Sequence, residues 1–303
     1  MAVGREVRMA EKDLSEKILL SYDDVFADIV NGLLFKGDER IKPKSLKDKI
    51  VHSQYKASDD KLHEEERDVF KVWEDCGIEI ALCGLENQSQ PYRMMPARVI
   101  GYDGASYRSQ ILDNKVTQLL PVITLVLYFG DKHWHQPRNL KKLFGNYPDE
   151  LKGYVNDYKI HVFEIAWLTD EEIARFKGDF RIVANFFAMK RRTKGLYIPK
   201  DPQEIEHVDA VLKLFSVMTG DDSYRDAIAQ LKGRRNVSMC DVAQSLIMKG
   251  KVEGRAEGKA EGKAEGIAAK TIQVYQNCIK RGMNQEDAIA ISGISETQLK
   301  KLK

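Results

Sequence analysis

One apolar run limits the folds that this chain can adopt. Residues 121–130 read PVITLVLYFG, a stretch of β-branched and aromatic residues that ends at Gly130. A strand with one face in water alternates apolar and polar residues, whereas a strand covered on both faces is continuously apolar. The run therefore predicts a central strand in a sheet that is flanked by helices, which is the arrangement of an α/β domain.

The neighbouring segments predict the other elements of this domain. Helical periodicity marks residues 22–35 and a second helix that begins near Pro96. A further strand is predicted at 158–168, and a helix that packs back on the sheet is predicted at 171–192. Residues 36–62 are mostly polar and contain several lysines, so we predict a long connection over the surface there.

A hairpin is predicted between the first helix and the central strand. Two apolar segments flank Glu74–Gly77, where the glycine tolerates the positive φ of a tight turn. A turn at this position places Asp68 opposite Cys83 on the neighbouring strand. A helix from Glu64 to Trp73 is the competing interpretation, because the same apolar residues also recur with the helical period.

The second strand of this hairpin leads into the polar sequence CGLENQSQ, which starts at Cys83. Glu86 then lies near Asp68 at one end of the hairpin, but Cys83 and Glu86 point to opposite faces of a regular strand. A bulge at Gly84 would bring both carboxylates to one face, together with Gln88. Converging carboxylates suit Mg²⁺, although acidic residues also occur at hairpin ends without binding a metal.

Five segments carry a resemblance to a known family. They are DDVFADIVNGLLF, ERDVFKVW, IEIALCGLENQSQ, MMPARVIGYDGASYRSQ and PVITLVLYFG. Together they resemble the Rpn-type recombination-promoting nucleases, also described as putative transposases, of the PD-(D/E)xK nuclease superfamily. The resemblance spans roughly residues 21–190. It implies a restriction-endonuclease-like mixed sheet flanked by helices, followed in this chain by an all-helical C-terminal extension.

The resemblance also implies where the catalytic site lies. The aspartate of the family motif falls on Asp68, and the (D/E)-x-K element falls on Glu86 and the two residues after it. Asp68 and Glu86 are then ligands for Mg²⁺, or for another divalent cation such as Mn²⁺, and Gln88 stands where lysine is usual. The E-x-Q ending resembles this branch of the superfamily, but an amide cannot supply the positive charge of a lysine.

Two further pairs of residues are candidates for the site. The superfamily often adds an acid from the first helix, and Asp24 and Asp28 lie on one face of that helix. Helix capping is the alternative role for Asp24. The resemblance includes an R-x-x-x-Y pair, here Arg98 and Tyr102, in which the arginine clamps a phosphate or holds Glu86. The alternative for the arginine is a surface salt bridge.

Two clusters have weaker claims to a function. His133 and His135 flank Trp134, but the sequence offers no convincing third ligand for a metal. A basic cluster follows at the end of the helix predicted at 171–192, and it consists of Lys190, Arg191, Arg192 and Lys194. These side chains either contact a DNA backbone or form the solvated end of the helix.

Only helical patterns follow residue 203, among them the repeat EGRAEGKAEGKAEG at 253–266. Its charges favour a helix through i,i+4 pairs, but a glycine in each unit costs about 1 kcal/mol relative to alanine. We therefore predict a solvent-facing spacer. The predicted division of the chain is an N-terminal tail at 1–20, a PD-(D/E)xK nuclease-like domain at 21–203, a helical extension at 204–250, the charged repeat linker at 251–266 and a small helix-turn-helix-like tail at 267–303.

Composition and charge exclude several other classes of protein. The chain has 48 lysines and arginines against 46 acidic residues, and a net charge of +2 provides no global attraction for nucleic acid. Its four cysteines form no C-x-x-C pair, so neither a disulfide framework nor a structural zinc site is predicted. No segment has the length and apolar character of a signal peptide or a membrane span, and we expect a cytoplasmic protein without a membrane partner.

These observations favour a Mg²⁺-dependent DNA endonuclease that hydrolyses phosphodiester bonds in recombination or transposition. The alternative is a catalytically inactive DNA-binding or regulatory module that retains the nuclease fold, and Gln88 is the residue that keeps it open. A third interpretation is a homo-oligomeric scaffold built on the repeat at 253–266.

Overall fold

The computed structural model describes residue 15 and residues 17–49, 53–56, 62–65, 69–85, 92–113, 116–195, 197, 199–234 and 236–301. These residues fall into two compact units, Met1–Ala243 and Gln244–Lys303, which are described separately below. Among the described residues, no helix is both long enough and apolar enough to cross a lipid bilayer.

The first unit is built on a five-stranded mixed sheet. Its strands follow the order β1 (Leu46–Asp48), β4 (Val69–Trp73), β5 (Ile78–Leu85), β6 (Val122–Tyr128) and β7 (His161–Glu164). The β1–β4 and β4–β5 pairs are antiparallel, whereas β5–β6 and β6–β7 are parallel. A separate antiparallel pair contains β2 (Ser53–Lys56) and β3 (Leu62–Glu65). The predicted α/β class, with a restriction-endonuclease-like mixed sheet, is confirmed.

The predicted hairpin is confirmed in its register. The β4–β5 pair runs from Val69 opposite Leu82 to Trp73 opposite Ile78. Gly77 in the turn has φ +59°, a conformation that glycine adopts without steric cost. The competing helix over residues 64–73 is therefore wrong, because the apolar side chains of β4 pair across a sheet instead of lying along one helical face.

The bulge predicted at Gly84 of the hairpin stays a prediction, whereas the ladder between β5 and β6 is regular at this position. Pairing there is one to one from Glu79 opposite Val122 to Leu85 opposite Tyr128, and Gly84 takes its regular place in the series. A bulge would have set two residues of one strand against one of the other. On the other side of β5, the residues before Val69 that would pair with Cys83 and Gly84 lie outside the described part of the chain.

Two helices cover the two faces of the sheet. Helix α1 spans Asp23–Leu34, and α2 spans Met95–Leu112 with a proline in its first turn, both close to the predicted positions. Helix α2 packs on the end of β6 in a buried cluster that includes Met95, Val99, Tyr102, Val126 and Tyr128. On the other face, the Lys71 ammonium contacts Asp23 of α1. Lys71 is in register with Ile80, so strand alternation places its side chain on the face of the sheet that does not carry the α2 cluster.

Three segments differ from the sequence-based expectation. The helix predicted at 171–192 is two helices, α3 (Asp170–Ile173) and α4 (Asp179–Arg192). The strand predicted at 158–168 is limited to β7 and continues as a 3-10 turn at Ile165–Trp167. The connection predicted at 36–62 contains β1, which joins the main sheet, and β2 of the separate pair, and its last residue begins β3.

The remaining helices follow the sheet in the chain. They are α5 (Val208–Thr219), α6 (Ser223–Leu231), α7 (Met239–Lys280), α8 (Gln285–Ser292) and α9 (Glu296–Lys301). The repeat at 253–266 lies within α7, and all its residues are exposed. In the second unit, the Asn284 side chain caps α8 by accepting the Asp287 N–H at 2.8 Å, and Gly293 ends the helix with φ +68°.

Candidate active site at one edge of the sheet

The three residues predicted to be catalytic, Asp68, Glu86 and Gln88, lie outside the described residues. The strands that carry them are described. Asp68 immediately precedes Val69, the first residue of β4, and Glu86 immediately follows Leu85, the last residue of β5. Because β4 and β5 are antiparallel, the chain enters β4 and leaves β5 at the same edge of the sheet.

The parallel strands end at this same edge. Leu85 is in register with Tyr128, and Tyr128 is in register with Glu164 at the end of β7. Ligands of open α/β sheets bind beyond the carboxyl ends of parallel strands, where loops leave the sheet side by side. This edge is therefore the part of the first unit in which chemistry-bearing side chains from several strands can meet.

The R-x-x-x-Y pair on α2 is a direct contact. The Arg98 Nε donates a hydrogen bond to the Tyr102 hydroxyl, and the guanidinium lies 5.4 Å from the centre of the Tyr102 ring. Tyr102 is only 1% exposed and belongs to the cluster that contains Tyr128. The contact therefore anchors Arg98 beside the end of β6.

The two acids predicted on the first helix have different surroundings. Both oxygens of Asp28 accept backbone N–H groups, from Lys177 at 2.7 Å and from Gly178 at 3.0 Å. Burial raises the pKa of Asp28, and the two backbone hydrogen bonds partly offset that rise. Gly178 is the residue before α4, so Asp28 fixes the start of that helix and explains why the helix predicted at 171–192 is interrupted.

Asp24 lies in a cluster with two residues from the segment before α5. Its Oδ2 is 2.9 Å from Nε2 of His207, and ligand-type atoms of Asp24, Glu206 and His207 all lie within 4.8 Å of one another. The Tyr22 ring stacks on His207 at 3.7 Å. Tyr22, not Asp24, is the N-cap of α1, and it makes no side-chain capping bond. Imidazole and carboxylate groups can bind a divalent cation, and here the His207 Nε2 lies within hydrogen-bond distance of both Asp24 oxygens.

A buried carboxylate holds this cluster in place. The two oxygens of Asp179 accept the backbone N–H groups of Glu206 at 2.9 Å and of His207 at 2.7 Å. Burial raises the pKa of Asp179, and these bonds lower it in part. Sequence reasoning missed Asp179, Glu206 and His207, because Asp24 and His207 are 183 positions apart and no local pattern links them.

Sequence reasoning also missed a buried lysine on the face of the sheet that carries α1. The Lys71 side chain is 1% exposed, and its ammonium lies 2.6 Å from Asp23 and also contacts Asp48. The sequence did contain a signal of this buried charge, namely a lysine within the apolar strand sequence VFKVW. Glu79 gives the same signal in IEIAL, and its buried carboxylate contacts Lys49.

A pocket of about 500 Å³, here called the basic pocket, opens between the end of β6 and the end of α4. Its lining includes Phe129, Gly130, Asp131, Phe187, Lys190, Arg191 and Lys194. Three of the four residues of the predicted basic cluster therefore line it. The fourth, Arg192, instead contacts Asp170 at 2.5 Å and donates to the Leu168 carbonyl at 3.2 Å.

The pair of histidines near β6 has a packing role. The His133 ring stacks on Trp167 at 3.5 Å, and its Nδ1 lies 2.7 Å from an oxygen of Glu164. Among the described residues, the grouping with the geometry of a metal site includes neither His133 nor His135.

Comparison with known proteins assigns the family. A family model described as "Putative transposase, YhgA-like" matches residues 43–195, which is half of the chain. The chain belongs to this family. The YhgA-like match covers the whole five-stranded sheet and contains Asp68, Glu86 and Gln88, together with the basic pocket residues on α4. No curated protein and no solved structure matches the chain.

Some candidate residues lie inside the segment that matches the family model, and others lie outside it. Arg98 and Tyr102 lie within it, whereas Asp24, Asp28 and His207 lie outside it. The predicted site on the hairpin and α2 is therefore part of the YhgA-like segment. The Asp24 cluster links elements on either side of that segment, and Asp179 within the segment accepts hydrogen bonds from its backbone.

Proposed function

We propose that the chain is a metal-dependent DNA endonuclease that acts in recombination or transposition. The observation that supports the proposal is the register of the sheet, in which β4 begins at Val69 and β5 ends at Leu85 on the same edge, and the two proposed ligands adjoin these residues in the sequence. Those two ligands are Asp68 and Glu86, and the YhgA-like family match supports a role on DNA for this segment.

The donor chemistry of the proposed site fits Mg²⁺, with Mn²⁺ as a substitute. Asp68 and Glu86 supply hard carboxylate oxygens, and Mg²⁺ typically binds one or two carboxylates while it keeps water ligands and contacts substrate phosphate. When bound, the ion supplies Lewis-acid stabilisation of the phosphodiester and makes a bound water more acidic. Asp24 is the better candidate for an additional acid, because both oxygens of Asp28 accept backbone N–H groups.

The other residues of the proposed site position water and phosphate. Gln88 accepts a hydrogen bond from the attacking water through its carbonyl oxygen and donates through its amide nitrogen to the phosphate. Arg98 stabilises the charge on the phosphate or positions Glu86. Its hydrogen bond to Tyr102 already restricts the arginine side chain, so the side chain loses less conformational entropy when it binds. The proposed partner is DNA, and the proposed location is the cytoplasm.

Plasmid cleavage tests this proposal. Supercoiled plasmid is incubated with the wild-type chain and with the Asp68→Ala and Glu86→Ala variants, in Mg²⁺ and in EDTA. We expect nicked or linear DNA only with the wild type in Mg²⁺. Cleavage by both variants at the wild-type rate would show that the assigned residues are wrong.

The alternative function is an inactive nuclease-fold module that binds or regulates DNA, and the neutral Gln88 favours it. The same samples distinguish the two functions when DNA binding is measured in parallel by fluorescence anisotropy. A wild-type chain that binds DNA but does not cut it in Mg²⁺ or Mn²⁺ supports the binding module. A chain that cuts supports the endonuclease.

A further inference from the structure

We propose that the basic pocket holds a phosphate group of the DNA strand that lies across the active site. This inference rests on the proposed function, because it assigns a substrate contact to the same edge of the sheet. It is carried by the position of the pocket, by its charge and by the backbone conformation of Lys194.

The position of the pocket follows from the strand register. Leu85 and Tyr128 are neighbours in the parallel ladder, and adjacent strands lie about 4.8 Å apart. The chain continues from Leu85 to Glu86, and from Tyr128 into Phe129 and Gly130, which line the basic pocket. The proposed metal ligand and the wall of the pocket therefore leave the sheet on neighbouring strands.

The charge of the pocket suits an anion. Lys190, Arg191 and Lys194 contribute three positive charges against the single carboxylate of Asp131. The Arg191 guanidinium is oriented before any ligand binds, because it lies 3.9 Å from the centre of the Trp167 ring and its Nε donates to the Ala166 carbonyl at 2.7 Å. A pre-oriented guanidinium loses little conformational entropy when it binds a phosphate.

The four cations at the end of α4 differ in where they lie. Basic side chains at a helix C-terminus are stabilised by the helix dipole and by the last carbonyls. Arg192 binds outside the pocket, where it contacts the Asp170 carboxylate and donates to the Leu168 carbonyl, and it does not line the pocket. Lys190 and Arg191 come from the same turn of α4 but line the basic pocket instead.

Lys194 stands at a position where glycine is the usual residue. It follows the C-cap of α4 and has φ +52°, in the left-handed region that costs a residue with a side chain roughly 1 kcal/mol relative to glycine. Despite this cost the position is a lysine, and the residue lines the basic pocket. Replacement by glycine should therefore preserve or improve stability and still remove a ligand contact.

The test measures DNA binding by fluorescence anisotropy in EDTA, where no metal-dependent cleavage occurs. The full-length wild type is compared with Lys194→Gly, with Lys190→Gln and with the matched control Arg192→Gln, which removes one charge from the same helix end outside the pocket. Each affinity is measured at several salt concentrations, and thermal unfolding confirms that each variant folds. We expect each pocket variant to bind about tenfold more weakly, with a salt slope smaller by about one, while the control binds like the wild type.

Each other outcome has a defined meaning. The proposal is overturned if the pocket variants keep wild-type affinity and slope, if the control loses as much as they do, or if the wild type does not bind the duplex. It is also overturned if a deoxynucleoside monophosphate binds to the wild type but not to Lys194→Gly while duplex binding is unchanged, because the pocket then takes a free nucleotide. Since binding is measured without cleavage, weaker binding by the pocket variants supports the pocket even if the wild type proves unable to cut DNA.

Discussion

Lys71 is the residue whose surroundings depart most from the norm for its type. Lysine is rarely buried unless it is paired, and here the side chain is 1% exposed with two carboxylate partners. The partners, Asp23 and Asp48, are 49% and 78% exposed, so water can solvate them without the lysine. Removal of the two carboxylates should therefore cost more free energy of unfolding than removal of the lysine charge.

This difference gives a prediction for stability. Lys71→Met should change the free energy of unfolding by less than about 1.5 kcal/mol, because an apolar chain of similar length fills the site and the exposed carboxylates return to water. The double variant Asp23→Asn/Asp48→Asn should cost about 3–5 kcal/mol, because it leaves a buried ammonium without a counter-charge. Urea denaturation measures both. A larger loss for Lys71→Met than for the double variant would contradict this interpretation.

Asp28 gives a prediction for the dependence of stability on pH. Burial raises its pKa in the folded state, so the folded protein holds this proton more tightly than the unfolded chain does. The contribution of Asp28 is then greatest below about pH 4 and is lost as the pH rises through the raised pKa. The Asp28→Asn variant does not titrate at this position, and it should be less stable by about 1–3 kcal/mol because an amide has one acceptor for two N–H donors.

The measurement is the difference in unfolding free energy between wild type and Asp28→Asn, followed from pH 4 to pH 7 by urea denaturation. We expect the advantage of the wild type to shrink as the pH rises. An advantage that grows with pH would show that the backbone hydrogen bonds outweigh burial and that the pKa is lowered.

At the residue scale, the sequence predicted the candidate acids but not their partners. The spacing of Asp24 and Asp28 on one helical face is a local property and could be read directly. That Asp28 binds the backbone at Gly178, 150 positions later, depends on the tertiary fold. The contact between Arg98 and Tyr102 could be anticipated, because residues four positions apart on a helix are neighbours.

At the element scale, prediction worked where the deciding interactions are local. The hairpin register follows from a short turn with glycine and two apolar strands, so Val69 opposite Leu82 is the expected pair. The single helix predicted at 171–192 was wrong, because its periodicity continues through a segment that Asp28 fixes in a non-helical conformation. The strand β1 was missed, because its three residues are too few to show a strand pattern and it is defined by its pairing with β4.

Two glycines in helices provide a test of packing at this scale. A Cβ at Gly32 of α1 would lie 2.3 Å from the Phe176 ring, whereas a Cβ at Gly104 of α2 meets no atom within 4 Å. Gly32→Ala should therefore destabilise the protein by about 1–3 kcal/mol through overpacking. Gly104→Ala is the matched control and should stabilise it by up to about 1 kcal/mol through helix propensity.

Urea denaturation of the two variants checks this prediction. If Gly32→Ala were as stable as Gly104→Ala, the close approach of α1 to Phe176 would not be a constraint on the fold.

At the scale of the whole molecule, one edge of the sheet collects the proposed chemistry. β4 begins there, β5 and β6 end there, and the basic pocket adjoins the end of β6. The central strand was predictable from its continuous apolar run, and so was the α/β class. The pocket was not, because its wall combines the ends of β6 and α4 with Met218 of α5, and only the basic cluster on α4 was visible in the sequence.

The central claim is that Asp68 and Glu86 bind one catalytic divalent cation at this edge. The most direct measurement is the single-turnover rate of DNA cleavage at saturating Mg²⁺ for the wild type, Asp68→Asn and Glu86→Gln. Asp75→Asn is the matched control, because it removes an exposed carboxylate from the turn at the other end of the same hairpin. We predict that the control cuts like the wild type, while each site variant falls to the rate in EDTA. A wild-type rate in either site variant, or an equal loss in the control, would contradict the claim.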